Sequence, residues 1–501
     1  MMHGHGKSDC AIVASKPANN AAPACAGGPA AEPVERRAQT KGNADQQSTD
    51  QTQCRDTVSQ ALARIRQAAQ RSKKEKFTAL FHHINPELLR AAFFALKREA
   101  APGVDGVTWY AYAAGLDDKL KDLHARVQRG AYRALPSRRR YIPKPDGRQR
   151  PLAVAALEDK IVQGATAMLL NAIYEEDFLG FSYGFRPGRG THDALDALVV
   201  AIDSKKVNFI LDADIRSFFD TIDQTWLVRF LEHRIGDKRI IRLIQKWLKA
   251  GVLEDGVVRQ SEVGTAQGPV ISPLLANIYL HYALDLGVER WRRREATGCV
   301  IIVRYADDFI IGFEHEAEAR RFLDELRQRL GEFSLALHPE KTRLIEFGRH
   351  AAANRKARGL GKPETFNFLG FTFICGTSRR GSFLVKRKTR RDRMMAKLEA
   401  IKGELRRRMH EPVPEQGKWL KQVVAGYFRY HAVPTNIRAL SKFRDGVARR
   451  WRRLLGRRSQ KGCQSWTGFA KLVDQWLPRP CILHPWPNQR FAQRFAVIHP
   501  R

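Results

Sequence analysis

Acidic residues are in short supply in this chain. Against 87 lysines and arginines stand only 52 aspartates and glutamates, a formal net charge of +35 over 501 residues. So large an excess calls for a polyanionic partner, and a phosphate backbone is the obvious one. The positive charge is gathered in runs, which argues against a merely soluble basic surface. Long apolar runs are also missing: none could span a bilayer, and the first residues hold no apolar core of the kind a secretory signal needs. Cysteine is sparse and scattered. The seven positions, Cys10, Cys25, Cys54, Cys299, Cys375, Cys463 and Cys481, are odd in number and form no Cys-x-x-Cys pair. That argues against a disulfide framework and a zinc site, and for a reducing compartment. The expectation is a cytoplasmic protein with no membrane partner and room for about three domains.

What the chain does have is centred on Cys299–Phe313. Two β-branched, apolar runs flank Tyr305-Ala306-Asp307-Asp308, a pattern that predicts a β-hairpin buried on its faces with two carboxylates at its tip. Adjacent aspartates in a dry setting resist ionisation unless a cation neutralises them, and Mg²⁺ favours carboxylate and phosphate oxygens. Aspartate is common in solvated turns, so this motif alone would mean little. Upstream, Asn208–Asp220 is a second apolar strand ending in carboxylates, Asp212 and Asp214. A strand with an Asp beside a hairpin with an Asp pair is how a polymerase palm holds two metal ions that activate a 3′-hydroxyl and stabilise pyrophosphate. Asp214 is expected to ligate metal, with the backbone carbonyl of Ile215 as a further ligand. Asp212 is expected on the opposite side of the strand end or as an outer charge.

These motifs, their order and their neighbours resemble the reverse transcriptase/maturase proteins encoded by bacterial group II introns, over roughly residues 60 to 501. The resemblance implies an α+β fold: a right-hand polymerase whose fingers and palm carry an antiparallel sheet, followed by an α-helical thumb/maturase domain. The corresponding division is a disordered tail (1–57), a helical N-terminal extension (58–124), fingers and palm (125–375), thumb/maturase (376–475) and an irregular C-terminal tail (476–501) that reaches DNA. The tail 1–57 is rich in Ala, Gly, Pro, Asn and Gln, which favours disorder on its own. Asn85-Pro86 marks a helix start, and Thr191 a second one.

Matched residue by residue, the resemblance makes Asp214, Asp307 and Asp308 the catalytic carboxylates, holding two Mg²⁺ ions for which Mn²⁺ can substitute. Lys144 and Arg150, on a basic hairpin around Pro145-Asp146-Gly147, would grip the nucleotide's triphosphate. Phe219 would wall off a ribose 2′-hydroxyl, favouring dNTPs, while Phe218 reads as ordinary core. Gln267 and Gly268 would support the incoming nucleotide. Arg186 and Arg189, in the loop Phe178–His192, read as phosphate ligands for template. Arg387 and Arg390, in a basic run beyond Gly376, suit a thumb that tracks a template–primer duplex. Arg429, Arg450, Arg457 and Arg458, interleaved with Tyr and Trp, suit structured RNA. Phe366–Phe371 reads as a short strand resembling the primer-gripping hairpin of the family. Lys341 either neutralises the carboxylates or the triphosphate, or is a surface lysine.

The implied function is RNA-directed DNA synthesis by a two-metal mechanism, together with binding of the group II intron RNA, help with its splicing and its copying into DNA during retrohoming. The implied partners are the intron RNA, an RNA template with DNA primer, target DNA and dNTPs, in a nucleoid-associated bacterial setting; a homodimer is compatible. The Cys-pair-bearing HNH endonuclease of some relatives is not matched in residues 476–501, so priming from an existing DNA 3′ end is expected. Two alternatives stand: a splicing-only RNA-binding maturase whose polymerase has decayed, and a retron or defence-type reverse transcriptase. The intact carboxylates speak against the first and the maturase-like segment at about 420–460 against the second.

Overall fold

A computed structural model describes residues 45–143, 149–259, 263–265, 267–458 and 465–495, with side chains from Thr57 onward apart from those of 143, 466 and 493–495. Among the described residues the strands are, in chain order, β1 (Ser137–Pro143), β2 (Gln149–Val154), β3 (Phe209–Asp214), β4 (Val252–Glu254), β5 (Val257–Arg259), β6 (Val300–Tyr305), β7 (Asp308–Phe313), β8 (Arg343–Glu346), β9 (Phe366–Phe368), β10 (Phe371–Thr377) and β11 (Phe383–Thr389). They form three sheets, ordered β2-β1-β4-β5, β6-β7-β3-β8 and β11-β10-β9. The middle sheet is antiparallel throughout. In the first, β1 pairs in parallel with β4.

Strand periodicity decides what the middle sheet does. Alternate side chains point to opposite faces. Leu211, Ala213, Phe309, Ile311 and Phe313 therefore enter the large core shared with the N-terminal helices. Ile210, Ile301, Val303, Ile310 and Ile345 enter a second core, roofed by the helix Thr191–Ser204 and the β9–β11 sheet. Both faces are dry, which is why β6 and β7 read as near-continuous apolar runs rather than alternating ones.

The N-terminal expectations hold in part. The first described helix is Asp45–Arg71, and residues 1–44 lie outside the described residues. The helix Pro86–Ala95 starts where Asn85 and Pro86 place it: Asn85 Oδ1 accepts from Leu88 N at 2.8 Å. Thr191 is not a cap. The helix is capped by Gly190, whose N–H donates to Asp193 Oδ2 at 2.6 Å.

Phe366–Phe371 is not one strand but two, β9 and β10, joined by a tight turn through Leu369 (φ 46) and Gly370 (φ 84). Only glycine takes such a φ without cost, so Gly370 makes the turn. The thumb boundary also moves. A break at 375/376 would cut β10, whereas β11 ends at Thr389 and the helix Arg391–Arg407 follows. With Val413–His431 and Ile437–Leu455 that helix encloses a third core, in which Phe428 and Trp451 are buried as their apolar character suggests. The C-terminal stretch is not an irregular tail. Leu483 N and His484 N donate to Ala432 O, and Arg490 pairs with Asp196 at 3.1 Å, folding the helix Pro487–Phe495 against Thr191–Ser204. No described helix is long and apolar enough to cross a membrane.

Candidate active site

The register places the carboxylates. Asp214, the last residue of β3, stands directly opposite Asp308, the first of β7. By the period of two, Asp212, Asp214 and Asp308 share the face of the sheet that carries Ile210 and Ile310. Asp212 is thus on the same side as Asp214, not the opposite one. Asp307 sits in the turn between β6 and β7. Like charges facing each other across strands repel, and burial adds to the cost of ionisation. Burial first, then Asp212, Asp307 and Asp214, push the Asp308 carboxyl up to about 8. Burial and Asp214 raise Asp307. Asp212 is raised to about 6, chiefly by burial, with Arg343 at 3.4 Å pulling it back. Lys341 forms an ion pair with Asp214, so it is bound to the cluster rather than a free surface lysine.

A cluster of desolvated, mutually repelling carboxylates is a place where a hard dication is favoured, and oxygen donors suit Mg²⁺ or Mn²⁺. Among the described residues, however, no three His, Cys, Asp or Glu side chains are gathered so as to hold a metal alone. The bridge between Ile215 and Leu337 uses Arg216 N to Ala336 O (2.8 Å) and His338 N to Asp214 O (2.7 Å), not the Ile215 carbonyl.

Beneath the carboxylates lies a group the sequence reading did not single out. Arg304 on β6 is fully buried and ion-paired to equally buried Asp285. Asn277 reaches both Arg304 and, at 2.7 Å, the carbonyl of Gly184. Gly184 has no room for a side chain: a Cβ there would lie 2.3 Å from Ala306 N. The loop before the helix Thr191–Ser204 is therefore pressed onto the catalytic turn. Its next residue, Phe185, is held at φ 57 and 55% exposed, its ring 6.4 Å from that of Tyr305. A bulky residue in the left-handed region costs roughly 1–2 kcal/mol, a signal found at functional sites and invisible in composition.

A cavity of about 240 Å³ opens between the first sheet and the palm, lined by Arg139, Pro151, Phe219, Gln224, Thr265 and Gln267 among others. Phe219 and Gln267 thus face one space, while Phe218 is core, as expected. Gly268 makes a close approach, but to protein: Gln267 O accepts from Ala153 N at 2.7 Å, and a Cβ on Gly268 would meet Ala153 O at 2.4 Å. Arg150 lies near enough to Asp307 to lower its pKa. β1 and β2 pair as expected, from Arg138 opposite Val154 to Pro143 opposite Gln149, and Lys144 lies outside the described residues.

The arginines divide. Arg186 is not a phosphate ligand: it is 5% exposed, paired with Glu175 at 3.0 Å and donating to Leu179 O and Ser182 O. Arg189 also turns inward, to Gly180 O and Ser182 O and over the Tyr183 ring. Arg387 is 2% exposed and paired with Asp196 at 2.7 Å, so it is no duplex contact. In each case a nearby carboxylate or carbonyl satisfies the guanidinium and costs less than leaving it buried alone. Arg390 pairs with Asp392 at 2.6 Å and acts on the Asp212 carboxyl. Arg429 and Arg457 are exposed; Arg450 and Arg458 are half-buried, donating to Gly446 O and Glu411 O.

The family described as reverse transcriptase (RNA-dependent DNA polymerase) matches residues 142–373, which hold the palm sheet and the cavity. Protein YkfC of Escherichia coli (strain K12) is 36% identical over 291 residues, 51% of this chain and 76% of YkfC. Group II intron-encoded protein LtrA of Lactococcus lactis subsp. cremoris is 34% identical over 222 residues, 44% of this chain but only 37% of LtrA. The putative COX1/OXI3 intron 2 protein of Saccharomyces cerevisiae is 35% identical over 166 residues, 32% of this chain and 19% of that protein. The chain belongs to the reverse transcriptase/maturase family of group II intron-encoded proteins, RNA-directed DNA polymerases.

Proposed function

We propose that this protein extends a DNA primer along an RNA template with dNTPs, and that it also binds a group II intron RNA, assists its splicing and copies it into target DNA. The observation that carries the polymerase reading is Asp214 opposite Asp308, with Asp307 at the adjoining turn; Phe219 and Gln267 lining one cavity support it. Asp214, Asp307 and the carbonyl of Ile215 bind the catalytic ions, and Asp308 supports them. When bound, two Mg²⁺ ions, or Mn²⁺ in their place, supply the charge that acidifies the primer 3′-hydroxyl and offsets charge on pyrophosphate. Lys341 holds Asp214 until then and is free to turn to phosphate afterwards. Arg150 and Lys144 bind the triphosphate, Phe219 excludes a 2′-hydroxyl, and Gln267 supports the nucleotide. Exposed Arg429 and Arg457 support RNA binding by the thumb. The setting is the bacterial cytoplasm, beside the nucleoid.

The two activities separate by substitution. Asp307→Ala is expected to abolish DNA synthesis and leave protein-assisted splicing of the intron RNA intact. Equal loss of splicing in a folded Asp307→Ala protein would contradict the division of roles.

A further inference from the structure

Arg304 carries five N–H donors, and all five are used. Nε donates to Asp285 Oδ1 at 2.7 Å and Nη2 to Asp285 Oδ2 at 2.5 Å, a two-pronged pair. The second hydrogen of Nη2 goes to Ser182 Oγ at 2.7 Å. Nη1 donates to Asn277 Oδ1 at 3.1 Å and to Ala306 O at 3.0 Å. Neither Arg304 nor Asp285 has any exposed side-chain surface. Asp285 itself closes a π-helical turn, His281–Asp285, set between the helices Ser272–Leu280 and Leu286–Arg294. Such wide turns re-aim side chains and are frequent at functional sites.

The direction of these bonds matters. Arg304 projects to the face of the sheet away from Asp214 and Asp308, and it reaches back to the carbonyl of Ala306. That carbonyl belongs to the peptide group that leads into Asp307. Ala306 is a non-glycine residue at φ 57, a conformation that relaxes unless something holds it. A guanidinium hydrogen bond to its carbonyl is charge-assisted and directional, so it fixes the plane of the Ala306–Asp307 peptide. The same guanidinium holds Ser182, in the loop whose Gly184 is pressed on Ala306 N.

We propose that Arg304, anchored by Asp285, is a positioning residue of the polymerase: it locks the catalytic turn so that Asp307 is aimed at the space shared with Asp214. Arg304 touches no substrate and acts through Asp307. Lysine cannot replace it, because a point charge with three donors lacks the planar fork that joins Asp285, Asn277, Ser182 and Ala306.

The proposal rests on the polymerase reading and is tested beside a matched control. Arg234 is buried almost as deeply, pairs with Asp177 at 2.8 Å and holds Ser72 O and Glu75 O, none of them a residue of the catalytic turn. Arg304→Lys and Arg234→Lys are both expected to lower the melting temperature. At a temperature where both are folded, and with saturating RNA template and DNA primer, Arg304→Lys is expected to reduce kcat for single-nucleotide incorporation by about 10-fold or more, with the dNTP KM changed by less than about threefold. Arg234→Lys leaves kcat within about twofold. A second readout needs no turnover: Mn²⁺ binding to the complex with a 3′-deoxy-terminated primer and dNTP, followed by calorimetry, weakens in Arg304→Lys and not in Arg234→Lys. If Arg304→Lys does not fold, Ser182→Ala removes one acceptor at nearly constant shape and should lower kcat with KM unchanged. Equal kcat in the two lysine variants, a change in KM alone, unchanged Mn²⁺ binding, or full activity in Ser182→Ala would each overturn the proposal. Absence of extension by the folded wild-type protein would instead overturn the polymerase reading itself.

Discussion

Replacing Gly268 by alanine tests how the nucleotide-supporting loop is held. A Cβ there would lie 2.4 Å from Ala153 O and 3.2 Å from Ala153 C and N, at a φ of +133. To restore ordinary contact the loop and β2 must part by roughly 1 Å. That breaks or bends the 2.7 Å bond from Ala153 N to Gln267 O, and Gln267 lines the cavity proposed to take the nucleotide. Overpacking of this kind costs about 1–3 kcal/mol of stability. A displacement of that size in a substrate-positioning group costs on the order of 100-fold in rate. Gly256→Ala is the control: its φ is +81, but nothing lies within 4 Å of the added methyl. In single-dNTP incorporation on an RNA template, Gly268→Ala should lose kcat/KM on the order of 100-fold and Gly256→Ala about twofold at most. Both should melt at lower temperature. Wild-type kcat/KM in Gly268→Ala, or an equal loss in Gly256→Ala, would refute the reasoning.

Four further outcomes are expected. Arg186→Ala removes a buried guanidinium and leaves Glu175, 12% exposed, without its partner, so it should cost about 1–3 kcal/mol in denaturant unfolding without changing the salt slope of RNA binding. Exposed Arg457→Ala should do the reverse, leaving stability alone and reducing that slope by roughly 0.7–0.9. Phe219→Ala, by opening the cavity wall, should raise NTP incorporation relative to dNTP by roughly 10–100-fold, read in paired primer-extension assays. Finally, burial pushes the Asp159 carboxyl up to about 6, although Tyr132 and the backbone of Leu135 donate to it. A carboxyl raised above its unfolded value binds more protons in the folded state, so its contribution to stability falls as pH rises from about 4 to 6 and is level above that. Melting curves of wild type and Asp159→Asn should therefore converge or cross in that window and run parallel above pH 7.

The legible parts of this molecule are those written locally. Alternating and continuous apolar runs announce β3, β6 and β7, and the carboxylates at their ends follow. Asn85 and Pro86 mark a helix start because a cap acts within three residues. What local sequence cannot say is which arginine will find a carboxylate far along the chain. Arg387 meets Asp196 across 191 positions, and Arg186 meets Glu175 across 11, so both looked like free phosphate ligands. Arg304 was hidden for the same reason: four of its five partner atoms come from three segments other than its own. Of the two places open to Asp212, the strand period rules out the opposite side, because residues two apart share a face. The C-terminal segment, rich in Pro and Trp, gave no sign of its docking site on Thr191–Ser204, because that contact is tertiary throughout.

The most direct test is primer extension by the purified full chain on an RNA template with dNTPs and Mg²⁺, beside an Asp307→Ala control that melts like the wild type. DNA synthesis by the wild type and its loss in the control is the predicted result. A folded wild-type protein that makes no DNA, or an Asp307→Ala protein that makes as much, would contradict the assignment of the palm carboxylates.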